Sequence, residues 1–337
     1  MDPGIPPFEA HPLLKNGHAM TVAAAYLPRR FAIPPAEARL FQVDAESQLL
    51  GHCHWQAGKR KDAPVLVIVH GLEGSSDSNY ERGIAEKAFP RGFHVVRLNQ
   101  RNCGGTENLT PTLYHSGLSG DIRAVVRELA ERDGLPEIFA AGFSMGGNLV
   151  LKMAGEYGNS APQHMRGFVA VAPSFDLAAC ADALLEPRNF IYERHFVRRL
   201  KRRMREKARL YPEQYGAVLN GGMRGIHTVR DFDDAITARF CGFQSADDYY
   251  ARSSAAQFVA AIRKPTLLLT AQDDPFVPFA TFASAAIREN PNITLVAPRH
   301  GGHCGFISRE RGEERFWCEA RIVEFCSGTS MLLRRGA

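Results

Sequence analysis

The chain has no run of about 18 apolar residues, the length a membrane-spanning helix needs, so no such span is expected. Its first residues, Met1-Asp2-Pro3-Gly4, have neither a basic stretch nor an apolar core, which argues against a secretory leader. C-x-x-C spacing is absent. The seven cysteines (Cys53, Cys103, Cys180, Cys241, Cys304, Cys318 and Cys326) are scattered and odd in number. Without a leader, the expectation is free thiols in a reducing cytosol and a cytoplasmic protein. There is no Walker A loop, and no G-x-G-x-x-G follows a strand pattern, so no nucleotide cofactor is expected. His52-Cys53-His54 puts two imidazoles on one strand face without a third ligand at sensible spacing. A half-exposed strand explains the pair better than a metal, so the expected cofactor and metal are both none. Internal repeats and low-complexity tracts are lacking too.

What is present is ordinary globular composition: 45% hydrophobic and 23% charged residues over 337 positions. That suffices for one large α/β domain with an insertion, or for two small domains. The net charge of +5 is unevenly placed. Residues 188–209 hold ten Arg or Lys against Glu193 and Glu206, a net +8, which leaves −3 for the remainder.

Continuous apolar runs mark strands buried on both faces. They are Val65-Leu66-Val67-Ile68-Val69, residues 93–98, Ile138-Phe139-Ala140-Ala141, Phe168-Val169-Ala170-Val171, residues 266–270 and residues 293–296. Residues 39–44 and 48–56 read as a hairpin. Helical spacing appears over 78–89, 117–133, 146–157, 278–289 and 313–326. The alternation predicts an α/β fold with a mostly parallel sheet of about eight strands and helices on both faces. The Pro-rich residues 1–38 read as an irregular N-terminal arm packed on a core of 39–174 and 264–337. Residues 175–263 are too long for a bare connection and read as an inserted helical cap.

The most informative stretch is Gly142-Phe143-Ser144-Met145-Gly146. An apolar run precedes it and a helical pattern follows, so it reads as strand, sharp turn and helix. Glycines flank the turn because it leaves no room for bulk, and the turn lifts the Ser144 hydroxyl clear of the sheet. A serine is a poor nucleophile without a base to take its proton. Histidine can do that near neutral pH, and a carboxylate can fix the histidine tautomer.

In an open α/β sheet, ligands bind beyond the carboxyl ends of strands. Acid and base candidates follow Ser144 there in the order Asp, then His. Asp274 is favoured over Asp273 because Pro275 and Pro278 position it at a strand-end turn. Asp273 remains an alternative, and Asp176 a more distant one. His303, after the flexible Gly301-Gly302 pair, is favoured over His300. Oxyanion donors are expected from the backbone N–H of Met145 and from the loop after His70-Gly71, at Leu72. His70 itself reads as a structural residue of that loop. A cysteine nucleophile at Cys103 would lack an elbow.

The basic stretch 190–209 places Phe196, Leu200 and Met204 four apart on one helical face. Two readings stand: a cap helix packed on the fold with a solvated basic face, or an interfacial helix touching an acidic membrane surface. The packed helix is favoured. Nucleic acid is not an expected partner, since no reader fold accompanies the patch.

Together these residues resemble the YheT-like branch of the α/β-hydrolase superfamily. The matching stretches are Pro12-Leu13-Leu14-Lys15-Asn16-Gly17-His18, His70-Gly71-Leu72-Glu73-Gly74, residues 99–105, Tyr114-His115-Ser116-Gly117 and residues 142–148. They continue with Phe232-Asp233-Asp234, Tyr249-Tyr250, Asp273-Asp274-Pro275 and residues 301–306. The match spans nearly the whole chain. Asn102 departs from it, standing where the family usually has glycine, and Ala19-Met20 replace a more polar pair. The resemblance implies an α/β-hydrolase fold, a charge relay of Ser144, Asp274 and His303, and carboxylester or acyl-transfer activity, without naming a substrate. The expected partner is a small-molecule acyl ester. The expected activity is that of a carboxylic ester hydrolase acting on short- to medium-chain acyl groups. The competing expectations are an acyltransferase or ester synthase using the same relay, and a non-catalytic lipid-binding scaffold.

Overall fold

A computed structural model describes residues 5–58 and 62–335. Met1-Asp2-Pro3-Gly4, read above for a leader, lies outside the described residues. Eight strands form one sheet: β1 (Glu37–Gln42), β2 (Gln48–His54), β3 (Val65–Val69), β4 (His94–Leu98), β5 (Ile138–Phe143), β6 (Met165–Val171), β7 (Thr266–Leu269) and β8 (Ile293–Val296). Their order is β1-β2-β4-β3-β5-β6-β7-β8. β2 runs antiparallel to β1 and to β4, and the pairs from β4 through β8 are parallel.

β3, β4 and β5 are buried at every position, as expected where helices cover both faces. The period-two geometry of a strand divides the core. Val65, Val67 and Val69 pack with α3 (Ser119–Glu131) and α4 (Met145–Tyr157) on one face. Leu66 and Ile68 pack with α2 (Asn79–Ala88) and α12 (Trp317–Arg335) on the other.

Between β6 and β7 the chain is helical: α5 (Leu177–Leu184), α6 (Phe190–Leu210), α7 (Pro212–Ala217), α8 (Val229–Phe232), α9 (Arg239–Cys241) and α10 (Ala246–Ser253), with short tighter and wider turns between them. This inserted segment grips the loop after β4. Lys207 Nζ donates to the Glu107 carbonyl at 2.9 Å and also to the Thr110 carbonyl. The Tyr211 hydroxyl donates to the Asn108 carbonyl at 3.1 Å, and that of Tyr215 to Pro111 at 2.8 Å.

Three elements differ from the sequence expectation. The N-terminal arm is not wholly irregular: α1 (Gly17–Tyr26) starts at an Asn16 cap whose side chain accepts the Ala19 N–H at 3.1 Å. Its alanine-rich sequence hides the helix, since its apolar residues are not confined to one stripe. The pattern over 278–289 breaks at Ser284 into a tight turn (Phe279–Ala283) and the short α11 (Ala285–Arg288). α12 runs on past 326 to Arg335.

The turn from β5 into α4 leaves no room for side chains at its glycines. A Cβ on Gly142 would lie 2.1 Å from the Gly146 carbonyl oxygen. One on Gly146 would lie 2.3 Å from that of Val69 and 2.5 Å from that of His70. These contacts are all backbone atoms, of α4 in the first case and of the end of β3 in the second, which cannot swing aside as a side chain could. Gly146→Ala should therefore destabilise the protein by about 1–3 kcal/mol, read as a lower urea midpoint. An unchanged midpoint would show that α4 can move off β3.

Candidate active site at the strand ends

Ser144 sits at φ 52°, ψ −119°, in a region side-chain-bearing residues rarely enter. Such a conformation persists only where its surroundings over-determine it, and here they do. The Ser144 N–H donates to the Val171 carbonyl at 2.9 Å. Its own carbonyl accepts from Asn148 N–H at 3.0 Å and from Ser174 N–H at 3.2 Å. Asn148 is fully buried. Its side chain donates to the carbonyls of Ser116 (3.0 Å) and Ser253 (2.9 Å) and accepts from Ala255 N–H (2.8 Å), fastening the first turn of α4 to the surrounding loops. The Ser144 hydroxyl oxygen lies 3.5 Å from that of Ser174.

Asp274 follows β7, and its carboxylate is wholly shielded from solvent. Oδ1 accepts from the N–H groups of Phe276 (3.1 Å) and Val277 (3.0 Å), which fixes the side chain. Oδ2 is 2.8 Å from His303 Nδ1. In the neutral ring the proton on Nδ1 binds Asp274, leaving Nε2 as the acceptor. The His303 ring packs on Phe276, with centroids 4.1 Å apart. Burial works against an imidazolium here, but Cys304 and Asp274 beside it outweigh burial and raise the His303 pKa to about 10. The residue after His303 comes close to the elbow: Cys304 Sγ lies 3.9 Å from the Val171 carbonyl that receives the Ser144 N–H.

The alternative candidates are placed differently. Asp273 Oδ1 accepts the Gly302 N–H at 2.9 Å. Its Oδ2 is 3.4 Å from Nδ1 of the partly exposed His300 and makes no hydrogen bond. Asp176 caps α5, accepting the Ala179 N–H at 3.1 Å. Asp274 and His303 are thus hydrogen-bonded, whereas Asp273 and His300 make only a looser ion-pair contact. Cys103 is fully buried, and burial pushes its thiol up to about 12.

The loop after β3 carries four consecutive amides. Gly71 N–H donates to Tyr80 Oη (2.9 Å), Glu73 N–H to Tyr114 Oη (3.3 Å), and Gly74 N–H to the Gly71 carbonyl (3.0 Å). Leu72 N–H has no acceptor among the described residues, and neither does Met145 N–H at the start of α4. A Cβ placed on Gly71 would lie 3.0 Å from Ser144 Cβ, so this loop runs directly against the serine. His70 anchors it from below. Its Nε2 accepts Gln100 N–H at 3.1 Å, and its Nδ1 donates to the Gly71 carbonyl at 2.7 Å. Burial lowers its pKa to about 4, which keeps it neutral.

Ser144, Leu72 and Met145 open into a cavity of about 1000 Å³, measured with its mouth. Its walls are mainly apolar side chains of the inserted helices. Phe196, Leu200 and Met204 of α6 line it, so the stripe seen in the sequence faces the cavity. Arg194, Arg198, Arg202, Arg205 and Arg209 are exposed on the same helix. Asp233 is a polar feature of the wall. Burial raises its pKa to about 6 against the opposing hydroxyls of Thr237 (2.7 Å) and Tyr250 (2.8 Å). Asn102 also lines the cavity, at φ 62°, with its side-chain amide donating to the Thr112 carbonyl at 2.9 Å.

Several residues at the site were not singled out from sequence. The Thr21 hydroxyl in α1 accepts the His303 N–H at 2.8 Å and donates to the Gly17 carbonyl at 2.6 Å. Gly17 permits this docking: a Cβ there would fall 1.9 Å from the Asp273 carbonyl oxygen. Ser174 and the Tyr114–Glu73–Arg203 group are others. Gly17, Glu73 and Tyr114 do lie inside stretches that carry the family resemblance, which was the available signal.

A model of the α/β hydrolase fold family matches residues 64–310. Over 310 residues the chain is 32% identical to YheT of Escherichia coli, which bears a provisional esterase name; the match covers 92% of this chain and 90% of that one. It is 30% identical over 261 residues to the monoacylglycerol lipase of Saccharomyces cerevisiae, covering 76% of this chain and 57% of that one. Among solved structures, the Pyrococcus furiosus esterase Pf2001 aligns with a TM-score of 0.59 at 16% identity, over 89% of this chain and 91% of that one. This last likeness concerns the fold alone.

The Asp274–His303 contact gives a direct test by NMR titration of the imidazole. A neighbouring carboxylate stabilises the imidazolium, so His303 should titrate above about 6.5, the value of the free side chain. Asp274→Asn should move it downward. A histidine indifferent to that substitution would show that the two groups do not interact in solution.

Proposed function

The chain belongs to the α/β-hydrolase fold family, in its YheT-like branch, and from that premise we propose that it is a serine hydrolase of carboxylic esters with short to medium acyl chains. The observation that carries this reading is the hydrogen-bonded Asp274–His303 pair at the same sheet edge as an elbow serine, with the Leu72 and Met145 amides left without an acceptor among the described residues.

The steps follow from the chemistry of these groups. His303 Nε2 takes the Ser144 proton as Oγ attacks the ester carbonyl, and Asp274 stabilises the imidazolium that forms. The carbonyl oxygen gains charge, and the N–H groups of Leu72 and Met145 receive it. When the tetrahedral intermediate collapses, the carbon–oxygen bond to the alcohol breaks and His303 protonates the leaving oxygen. Water, activated by the now neutral His303, then attacks the acyl-Ser144 ester. A second tetrahedral intermediate releases the carboxylic acid and restores the serine. The apolar cavity beside Ser144 suits a hydrocarbon acyl chain, whose transfer from water contributes about 0.8 kcal/mol per methylene. Acyl transfer would use the same groups, with an alcohol replacing water in the second half. Product partition in added alcohol separates the two.

Ser144→Ala should lower kcat on p-nitrophenyl acyl esters by at least about 10⁴-fold while the melting temperature stays close to wild type. Retained turnover in that variant would remove Ser144 from the chemistry. A series of esters of increasing acyl length should show kcat/KM rising and then falling as the cavity fills.

The pH dependence has a definite sign. The base must be neutral to accept the serine proton, and His303 has a raised pKa. Activity should therefore increase as pH climbs through that raised value. The half-maximum of kcat/KM is expected above about pH 6.5. A half-maximum at or below that pH would show that the free enzyme does not hold His303 as an imidazolium.

A further inference from the structure

Glu73 is tied down at every polar atom, and none of its ties belong to the sheet. Its N–H donates to Tyr114 Oη at 3.3 Å, and its carbonyl accepts from Arg199 Nη2 at 2.7 Å. Its carboxylate accepts from Tyr114 Oη (2.7 Å), Arg203 Nε (2.7 Å) and Arg203 Nη2 (3.1 Å). The Glu73 side chain is 2% exposed and that of Arg203 12%. Burial opposes the Glu73 charge, but Arg203, Tyr114 and Arg199 outweigh it and hold the carboxyl below its usual pKa. The pair is therefore ionised.

The place of this cluster matters. Glu73 stands at φ 59°, a left-handed conformation unusual for its side chain. It directly follows Leu72, whose amide is the unengaged one in the loop. The corner at Glu73 anchors the chain one residue beyond that amide, and α6 holds the corner through two arginines. A two-pronged guanidinium contact is directional as well as strong, which suits it to setting an orientation.

We propose that the Glu73–Arg203 ion pair is a latch through which α6 orients the Leu72 amide, so that the oxyanion site is complete only while the inserted helices are seated on the core. This rests on the serine-hydrolase reading above and deepens it. Arg203 is a positioning residue that acts through Glu73. Lifting α6 would release the Leu72 amide and so switch off turnover. Cavity closure and transition-state stabilisation are thereby one event.

The test uses the full-length protein, p-nitrophenyl butyrate as substrate, and a trifluoromethyl ketone as probe. Ser144 adds to that ketone to give a tetrahedral adduct whose oxygen needs the same amides. Removing an oxyanion donor outright costs about 10²–10³ in kcat. Misorienting one through Arg203→Met or Glu73→Gln should cost about 10- to 100-fold, with KM within about threefold. The trifluoromethyl ketone should weaken by a similar factor. Combining both substitutions should cost no more than either alone, since each cuts the same interaction. Arg203→Lys should recover only part of kcat, because an ammonium cannot make the two-pronged contact. Arg205→Met, at an exposed site on the same helix, should behave as wild type.

The latch is overturned if Arg203→Met keeps kcat within about twofold of wild type, or if its defect lies in KM with kcat preserved. It is equally overturned if ketone affinity is unchanged while kcat falls. Should Arg203→Met not fold, Tyr114→Phe serves in its place. That change frees the Glu73 N–H and weakens the same corner, and the same split between kcat and KM decides. A wild-type protein that neither turns over esters nor reacts with a fluorophosphonate is a different result: it removes the serine-hydrolase premise itself.

Discussion

A sheet sealed on both faces governs where chemistry can happen in this molecule. β3, β4 and β5 are buried along their whole length between two layers of helices. Polar side chains on those faces cost several kcal/mol apiece unless they are paired, as Arg97 of β4 is with His54 and the Ser76 carbonyl. They collect instead where the strands stop. Because β3 through β8 are parallel, those stops share one edge. His70 and Leu72 follow β3, Ser144 follows β5, Ser174 follows β6, Asp274 follows β7 and His303 comes after β8. The Val171 carbonyl at the end of β6 shows how tightly they converge: it receives the Ser144 N–H and is also approached by Cys304.

Much of this was legible in the sequence because the sheet writes itself plainly. Continuous β-branched runs need no partner to be recognised, and the glycines around Ser144 mark a turn that tolerates nothing larger. Other features depended on contacts that no local pattern carries. The prolines beside Asp274 favoured it over Asp273, but which histidine each carboxylate meets depends on backbone direction within one loop. α1 was hidden because its apolar residues are not confined to one stripe, and it meets a loop from the far end of the chain. The stripe of Phe196, Leu200 and Met204 was visible as a period. Periodicity says that a face is apolar and does not say what it meets; here it meets the cavity. Glu73 looked like one more polar loop residue, and only its five contacts set it apart.

Two segments outside the sheet thus complete the site. α1 braces the loop bearing His303 through the Thr21 hydroxyl. α6 grips the loop bearing Leu72 through Arg199 and Arg203. The sheet supplies common direction, and these two helices supply the final orientation of groups that the strand ends alone would leave loose. Both contacts are polar and buried or half-buried, where a hydrogen bond is stronger and its loss more costly than at the surface. The inserted helices also form most of the cavity wall, so the element that shapes the binding space is the one that steadies the loop beside the serine.

The brace on His303 has a consequence for the birth of the protein. Thr21 and His303 are 282 residues apart in sequence, so α1 leaves the ribosome long before the loop it meets. A nascent chain that already carries the Ser144 elbow still lacks His303, and that loop, once made, settles against a segment synthesised long before. A chain truncated ahead of that loop cannot form the Asp274–His303 contact, so the strand-end cluster closes only in the finished molecule.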